Sequence, residues 1–351
     1  MKRRNLAILA LLLGGALVLG ACAAQPGPTG PAGPQGPAGP AGPPGQPVAA
    51  AELTCTECHN DTTLIVSKEA QFRENSVHGT GESFERGEGT DCAGCHGTEG
   101  AKARINAGLP PHDPSVVGVT NVSPFDCRTC HNIHTTYTKA DFSLTGDERP
   151  AVLEMTGGTY DGGAGNLCAE CHQVRNAAPI VTGGNVQVTS SRFGPHYGVP
   201  APMLLGEGGL GVTGSPSPHY SGVKDTCVAC HMGEELNHTY LPEVGRCQAC
   251  HSGATDFDMD DTQTEVKAMV GELHALFVDK KLLNPETDLW GIYDPATGKW
   301  SNPSTTAPLT VTEAVANAMW NYKFVVYDTS MGVHNPAFTK VLLESALAAM
   351  K

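Results

Sequence analysis

The chain carries little positive charge: 22 lysines and arginines stand against 36 aspartates and glutamates. All of the acidic residues lie beyond Cys22, as do 19 of the basic ones, so this part of the chain has a net charge of −17. An acidic surface repels polyanions, which argues against nucleic acid and anionic lipid surfaces as its partners. It suits contact with cations, metal-bearing surfaces or basic proteins.

The sequence also lacks the alternation of apolar and polar residues that marks strands. Glycine and proline are frequent instead, at 42 and 26 residues, and stretches such as 206–211 and 215–218 predict loops. A chain of this kind builds only a thin core from its own side chains.

Twelve of the thirteen cysteines fall in six copies of Cys-x-x-Cys-His. Two cysteines three residues apart share one face of a helical turn and can meet the two vinyl groups of one porphyrin. The next residue then gives the iron its proximal nitrogen. We therefore predict six covalently attached haem c groups. The cysteines are Cys55, Cys58, Cys92, Cys95, Cys127, Cys130, Cys168, Cys171, Cys227, Cys230, Cys247 and Cys250, and the proximal histidines are His59, His96, His131, His172, His231 and His251.

Zinc ribbons and thioredoxin-like redox sites also use Cys-x-x-Cys pairs. Neither chemistry requires a histidine directly after the second cysteine, whereas here histidine follows all six times. Haem attachment is therefore the favoured interpretation.

Eight histidines lie outside the motifs, and six of them would give every iron a second axial ligand. Those in Gly/Pro-rich or closely spaced settings are the predicted distal ligands: His78, His134, His196, His219, His238 and His334. The spacing of His134 from His131 points it toward a neighbouring haem. His112, among prolines, and His274, inside an amphipathic segment, are left as ordinary histidines.

The fold class predicted for residues 51–351 is mostly irregular, packed around haems, with short α-helices, two longer C-terminal helical regions and little β-structure. Short helices are expected at the motifs and near residues 68–76. Longer ones are expected over 262–283, and over 312–327 and 336–350 with an interruption near 331–336. These fall in a helical C-terminal part, 252–351. Thr310 and Thr312 offer cap positions, and Pro336 could open the last helix.

The first residues resemble an export signal, with a basic start and an apolar run that ends at Leu19-Gly20-Ala21-Cys22. This end resembles a bacterial lipobox, which predicts a signal peptide over 1–21 and lipid on Cys22, the one cysteine without a haem. An uncleaved membrane anchor is the alternative, but the apolar run is short. Either interpretation places the mature domain outside the cytoplasm, and lipidation anchors it at an outer membrane or cell surface.

Residues 22–50 contain seven consecutive Gly-x-y triplets, which resemble collagen. A trimerisation stem is one interpretation. We favour a spacer, because so few triplets are present and proline-rich sequence is extended by itself.

Segments around His78, Cys127–His134, His196 and His334 resemble those of multihaem c-type cytochromes, especially outer-surface electron carriers of metal-respiring bacteria, some of which form filaments. The resemblance implies bis-histidine haems in a near-continuous chain of stacked pairs. The Gly332-Val333-His334-Asn335-Pro336 segment also resembles the tail of ammonia-forming nitrite reductases. Those enzymes have a Cys-x-x-Cys-Lys haem, and no lysine follows any Cys-x-x-Cys here.

Three functions follow. The first is an electron-transfer lipoprotein, without catalytic residues, between a periplasmic or membrane donor and an external acceptor or metal-bearing surface. The second is a reductase of a small oxyanion with one open haem. The third is a homo-oligomeric filament subunit, in which His78 would ligate a haem of the next copy.

Overall fold

Short helices and turns dominate the chain up to residue 251 in the computed structural model, which describes residues 59, 64–113, 115–116, 121–146, 148–233 and 235–351. All of these lie in the second of the two units into which the chain divides, Ala49–Lys351. The predicted signal peptide, Cys22, the Gly-x-y spacer, Cys55 and Cys58 lie outside the described residues.

Nine α-helices precede residue 252 in the described ranges. They are Leu64–Asn75 (α1), Val77–Thr80 (α2), Thr98–Ala107 (α3), Cys127–Cys130 (α4), Asn166–Ala169 (α5), Pro200–Leu205 (α6), Pro218–Gly222 (α7), Thr226–His231 (α8) and Val244–Cys247 (α9). Single 3-10 turns occupy Ser83–Glu88, Lys139–Phe142, Gly163–Gly165 and Met259–Asp261.

Local capping explains where several of these short helices start and stop. The Asp126 side chain accepts from the Arg128 N–H, and with Thr129 it forms a capping box at the start of α4. Gly108 ends α3 with a φ of 68°, a left-handed conformation that glycine adopts without penalty. Cys127 and Cys130 therefore lie on a helical turn whose start is fixed by the side chains of neighbouring residues.

Four small antiparallel sheets contain the strands of the described residues. Ala151–Val152 (β1) pairs with Thr159–Tyr160 (β2), and Val181–Thr182 (β3), Asn185–Val188 (β4) and Leu309–Thr312 (β9) form a three-stranded sheet in which Val186 faces Val311. Leu283–Asn284 (β5) pairs with Leu289–Trp290 (β6), and Ile292–Asp294 (β7) pairs with Lys299–Ser301 (β8).

Three longer helices form the C-terminal part: Thr262–Asp279 (α10), Glu313–Asp328 (α11) and Pro336–Met350 (α12). Thr312 caps α11 by accepting from the Val315 N–H, and Asn335 caps α12 by accepting from the Phe338 N–H. Their apolar faces meet in the main hydrophobic core, which includes Leu273, Phe277, Trp290, Trp320, Phe324, Leu342 and Leu343.

The predicted fold class, mostly irregular chain with short helices, longer C-terminal helices and little β-structure, is confirmed. The helix predicted over 262–283 ends earlier, at Asp279, because Lys281 adopts a φ of 58° and the Leu282 N–H bonds back to the Phe277 carbonyl. The hairpins between 283 and 301 were not predicted, since strands of two or three residues are too short to show alternation. None of the helices described here combines the length and apolar character needed to cross a membrane.

Candidate haem-binding sites

Each of the six motif histidines lies beside one of the six predicted distal histidines. We number these pairs by their motif histidine, in chain order. The pairs and their ring-centroid separations are His59–His134 (pair 1, 6.0 Å), His96–His196 (pair 2, 6.4 Å), His131–His238 (pair 3, 6.2 Å), His172–His78 (pair 4, 5.9 Å), His231–His334 (pair 5, 6.2 Å) and His251–His219 (pair 6, 6.2 Å).

These separations fit a metal ion held between two imidazoles. Two metal–nitrogen bonds of about 2.0 Å, and about 1.1 Å from each nitrogen to its ring centre, place the centroids about 6.2 Å apart. Ordinary aromatic contacts cover the same range of distances. What distinguishes the histidines is therefore their one-to-one matching, in which no distal histidine is shared and none of the six predicted ones is left over.

Hydrogen bonds at Nδ1 orient seven of the twelve rings. A carbonyl or carboxylate oxygen only accepts, so Nδ1 carries the proton and Nε2 keeps a free lone pair, the form that binds a metal. The acceptors are Ser83 O for His96 (2.9 Å), Phe142 O for His131 (2.8 Å), Tyr240 O for His231 (2.9 Å), Tyr197 O for His196 (3.3 Å), Val333 O for His219 (2.7 Å), Leu236 O for His238 (2.7 Å) and Asp328 Oδ1 for His334 (2.7 Å).

Burial favours the neutral, metal-binding form of several of these rings. It lowers the pKa of His78, His96, His196 and His238. Burial, together with the nearby rings of His78, His231 and His334, lowers the pKa of His172 to about 4. A neutral imidazole keeps the lone pair that an iron ligand needs.

The pKa of His334 shifts in the opposite direction from the pKa values of these rings. Burial alone would lower its pKa, but the charge and hydrogen bond of Asp328 outweigh burial and raise it. The Asp328 carboxylate is itself buried, with 1% of its side chain exposed.

The five motifs whose cysteines are described share one backbone arrangement. The histidine N–H of four of them bonds to the carbonyl of the first cysteine, at 2.8–2.9 Å, and the fifth lies within α8. This turn keeps both thiols on one side, with the histidine directly after them. All ten of these cysteines are free. The arrangement is the one that attachment of a porphyrin through two thioethers requires, so the residues fit the predicted group.

The two histidines left out of the prediction have other partners. His112 Nδ1 lies 2.8 Å from Glu154 Oε2, and its Nε2 lies 3.2 Å from Arg175 Nη2. His274 Nε2 lies 3.2 Å from Asp288 Oδ1. Both rings are therefore engaged by charged side chains outside the six pairs. Among the described residues, no group of three or more His, Cys, Asp or Glu side chains is arranged to hold a metal ion alone.

A buried arginine joins the motifs of pairs 2 and 4. Arg104 Nε donates to the Gly94 carbonyl at 2.6 Å, inside the second motif. Its Nη1 donates to Glu170 Oε2 at 2.7 Å, and its Nη2 lies 3.7 Å from Cys171 Sγ, both inside the fourth motif. The side chain is fully buried, so this ion pair ties the two motifs together away from water.

The motifs of pairs 4 and 5 also pack on each other. Thr226 Oγ1 donates to the Gly162 carbonyl at 3.1 Å, and Cys227 Sγ lies 3.9 Å from the Gly165 carbonyl. The first cysteine of the fifth motif therefore lies against the segment that leads into the fourth motif.

Pair 5 continues to pair 6 through two hydrogen bonds. Arg246 Nε, one residue before the sixth motif, donates to the Ala229 carbonyl in the fifth motif at 3.0 Å. His219 of pair 6 donates to the carbonyl of Val333, the residue before His334. These contacts place pairs 5 and 6 next to each other.

Tyr240 connects pairs 3, 4 and 5. Its ring centroid lies 5.1 Å from that of His78 and 5.9 Å from that of His238, and its carbonyl accepts from His231. Burial raises the pKa of its hydroxyl. We did not predict a role for Tyr240, Arg104 or Asp328. Of these three residues, only Tyr240 could have been suspected from the sequence, because it lies two residues after His238.

Comparisons with known proteins find similarity to a solved structure. No protein-family model matches the chain, and no curated protein matches it. A crystal structure of the outer cell wall cytochrome OcwA is similar at 19% sequence identity with a TM-score of 0.48, covering 81% of this chain and 50% of that one. The chain therefore spans about half the length of that cytochrome.

Proposed function

We propose that the protein is a c-type cytochrome that transfers electrons and holds six haems, each attached to the cysteines of one motif and ligated by both histidines of one pair. The observation that carries this proposal is the one-to-one matching of six motif histidines with six others. Bound haem supplies reversible one-electron exchange at its iron.

The residues of the chain hold and orient these groups in this proposal. The two cysteines of each motif would hold one haem covalently, and the two histidines of each pair would ligate its iron, which would leave no coordination position for a substrate. The carbonyls of Ser83, Phe142 and Tyr240 keep three proximal rings in one orientation. Catalytic acids, bases and nucleophiles are not required.

Contacts between the pairs support a connected route for electrons. Pair 1 adjoins pair 3, because His134 and His131 belong to one short segment, and Tyr240 lies between pairs 3 and 4. Pair 4 also adjoins pair 2 through Arg104 and pair 5 through Cys227, and pair 5 leads to pair 6. The route therefore branches at pair 4, which adjoins pairs 2, 3 and 5, and Tyr240 also brings pair 3 beside pair 5. Pairs 1, 2 and 6 lie at its three ends.

The proposed cellular location of this electron route is the one inferred from the sequence. The chain is a lipoprotein anchored through Cys22 outside the cytoplasm, at an outer membrane or cell surface, with the Gly-x-y segment as a spacer. A periplasmic or membrane protein donates electrons, and an external acceptor or a metal-bearing surface takes them. The excess of acidic residues beyond Cys22 supports a cationic or metal-bearing partner.

The reductase alternative needs one iron with an open face, and the matching leaves none of the six motif histidines without a second histidine. The filament alternative through His78 is also disfavoured. His78 lies 5.9 Å from His172 of its own chain, which supports a ligand role within the chain rather than to a haem of the next copy. A filament would have to form through another surface.

Haem counting and carbon monoxide binding test the proposal. We expect six haems per chain by pyridine haemochrome assay, all low-spin, and no carbon monoxide complex in the reduced protein. His196→Ala should open one iron, so that about one-sixth of the haem becomes high-spin and binds carbon monoxide.

Two variants serve as controls. His112→Ala removes a neighbouring histidine that contacts Glu154 and Arg175, and His274→Ala removes one that contacts Asp288; both should keep the original spectrum. A high-spin haem in the unmutated protein, or one created by His112→Ala, would contradict the assignment and support the reductase alternative.

A further inference from the structure

A buried carboxylate lies directly behind one of the twelve paired histidines. Asp328, the last residue of α11, accepts a hydrogen bond from His334 Nδ1 at 2.7 Å through Oδ1, and its Oδ2 accepts from the Ser330 hydroxyl. The His334 N–H donates to Ser330 Oγ at 3.2 Å. The turn between α11 and α12 makes this arrangement possible, because Thr329 adopts a φ of 63° and folds the chain back at once.

Asp328 differs in kind from the other six hydrogen-bond acceptors that were found at histidine Nδ1 atoms. Those are neutral backbone carbonyls, including Tyr240 O behind His231 on the opposite side of pair 5. A hydrogen bond to an ionised acceptor is roughly twice as strong as one between neutral groups. It also makes the imidazole a more basic ligand, as in the carboxylate–histidine pairs of metal sites.

Asp328 also acts through its charge. Only 1% of its side chain is exposed, so water screens the carboxylate weakly. Ferric haem carries one more positive charge than ferrous haem. A buried negative charge and a more basic ligand both favour the ferric form.

We propose that Asp328 is a positioning residue that lowers the reduction potential of the haem held by His231 and His334. This inference rests on the proposed function. Pair 5 lies between the branch at pair 4 and the end at pair 6. Electrons moving along this arm would therefore cross a centre whose reduction potential is lower than it would be without the carboxylate.

Redox titration of Asp328→Asn, in the haem-loaded full chain, tests this role. Asparagine keeps a neutral acceptor of the same shape and removes the charge. We expect about one-sixth of the haem absorbance to titrate at a higher potential, with its redox equilibrium constant changed about tenfold, or about 59 mV. The haem count and the low-spin spectrum should stay unchanged, which separates tuning from loss of the ligand. Asp328→Ser provides a second neutral variant if the first folds poorly.

Asp288→Asn is the matched control. Asp288 is also an aspartate partnered by a histidine, but it contacts His274 and Lys323 rather than a paired ring, so the titration should not change. An unchanged or lowered potential in Asp328→Asn, with six low-spin haems retained, overturns the role of Asp328 and leaves the electron-transfer function standing. A wild-type protein with fewer than six haems or with an open iron instead contradicts the proposed function itself.

Discussion

The part of the chain that carries the motifs and the part after residue 251 are stabilised in different ways. The apolar cluster that residues up to 251 form by themselves is small, and its members include Leu153, Tyr160 and Leu204. Its buried side chains include many polar ones, such as Arg104 and Asn166. The C-terminal part instead packs long helices around large apolar residues such as Phe324 and Leu343.

The difference follows from what each part has to surround. A region that encloses the six proposed haems could not fill the same space with leucine and phenylalanine, and its chain would make turns and hydrogen bonds around the groups it holds. The C-terminal helices meet each other directly through their apolar side chains, and the predicted haem ligand His334 lies in the turn between α11 and α12. Val186, Val199 and Met203 from the motif-bearing part also enter the main core, so the two parts are joined by packing.

Production of the chain without haem attachment should have the largest effect. We expect the motif-bearing part to lose its structure, because its own apolar core is too small to offset the entropy of ordering. Limited proteolysis should cut within 64–170 much faster than within 262–350, and a single cooperative thermal transition should be absent. Equal protection of both parts, or one sharp transition in the haem-free chain, would show that the macrocycles are not needed.

Removal of the buried Arg104 should have the next largest effect. Arg104→Ala leaves Glu170 buried without its partner, which costs about 3–5 kcal/mol of unfolding free energy in comparable cases. Denaturant titration of the haem-loaded protein would measure it. The control is Arg73→Ala, which breaks an exposed ion pair with Glu69 on α1 and should cost less than about 0.5 kcal/mol. Equal effects would mean that polar contacts do not stabilise the motif-bearing part.

Shortening a side chain in the main core should lower the free energy of unfolding by a similar or smaller amount. Leu343 is fully buried, so Leu343→Ala should lower the free energy of unfolding by about 2–5 kcal/mol. Haem content should not change, because Leu343 is in the core cluster and not in a histidine pair. Val341→Ala, on the same helix but 39% exposed, should stay within about 0.5 kcal/mol of wild type. Loss of haem from Leu343→Ala would show that the two parts are more strongly coupled than proposed.

Replacement of Cys22 should leave both parts of the folded domain unchanged. Cys22→Ala removes the predicted lipidation site, so the protein should be released from the membrane or remain unprocessed. Membrane fractionation and the mass of the mature protein measure this, while the haem spectrum and thermal transition should match wild type. Normal processing and membrane retention of the variant would rule out the lipoprotein prediction.

Features that depend only on neighbouring residues could be predicted from the sequence. Haem attachment requires two cysteines and a histidine within five residues, so the predicted attachment motifs can be found without any knowledge of the fold. Thr312 and Pro336 indicated the starts of α11 and α12 for the same reason, since capping depends on residues within one turn. The ends of helices were harder to predict, as the end of α10 at Asp279 shows.

The matching of histidines was decided by tertiary structure alone. A distal ligand can come from any point of the chain, so the sequence identified His78 and His334 as candidates without showing that they lie beside His172 and His231. The proposed branch at pair 4 and the carboxylate behind His334 also depend on tertiary structure. Both arise where segments far apart in sequence pack together. Contacts of that kind produce no periodicity or spacing in the sequence from which they could be predicted.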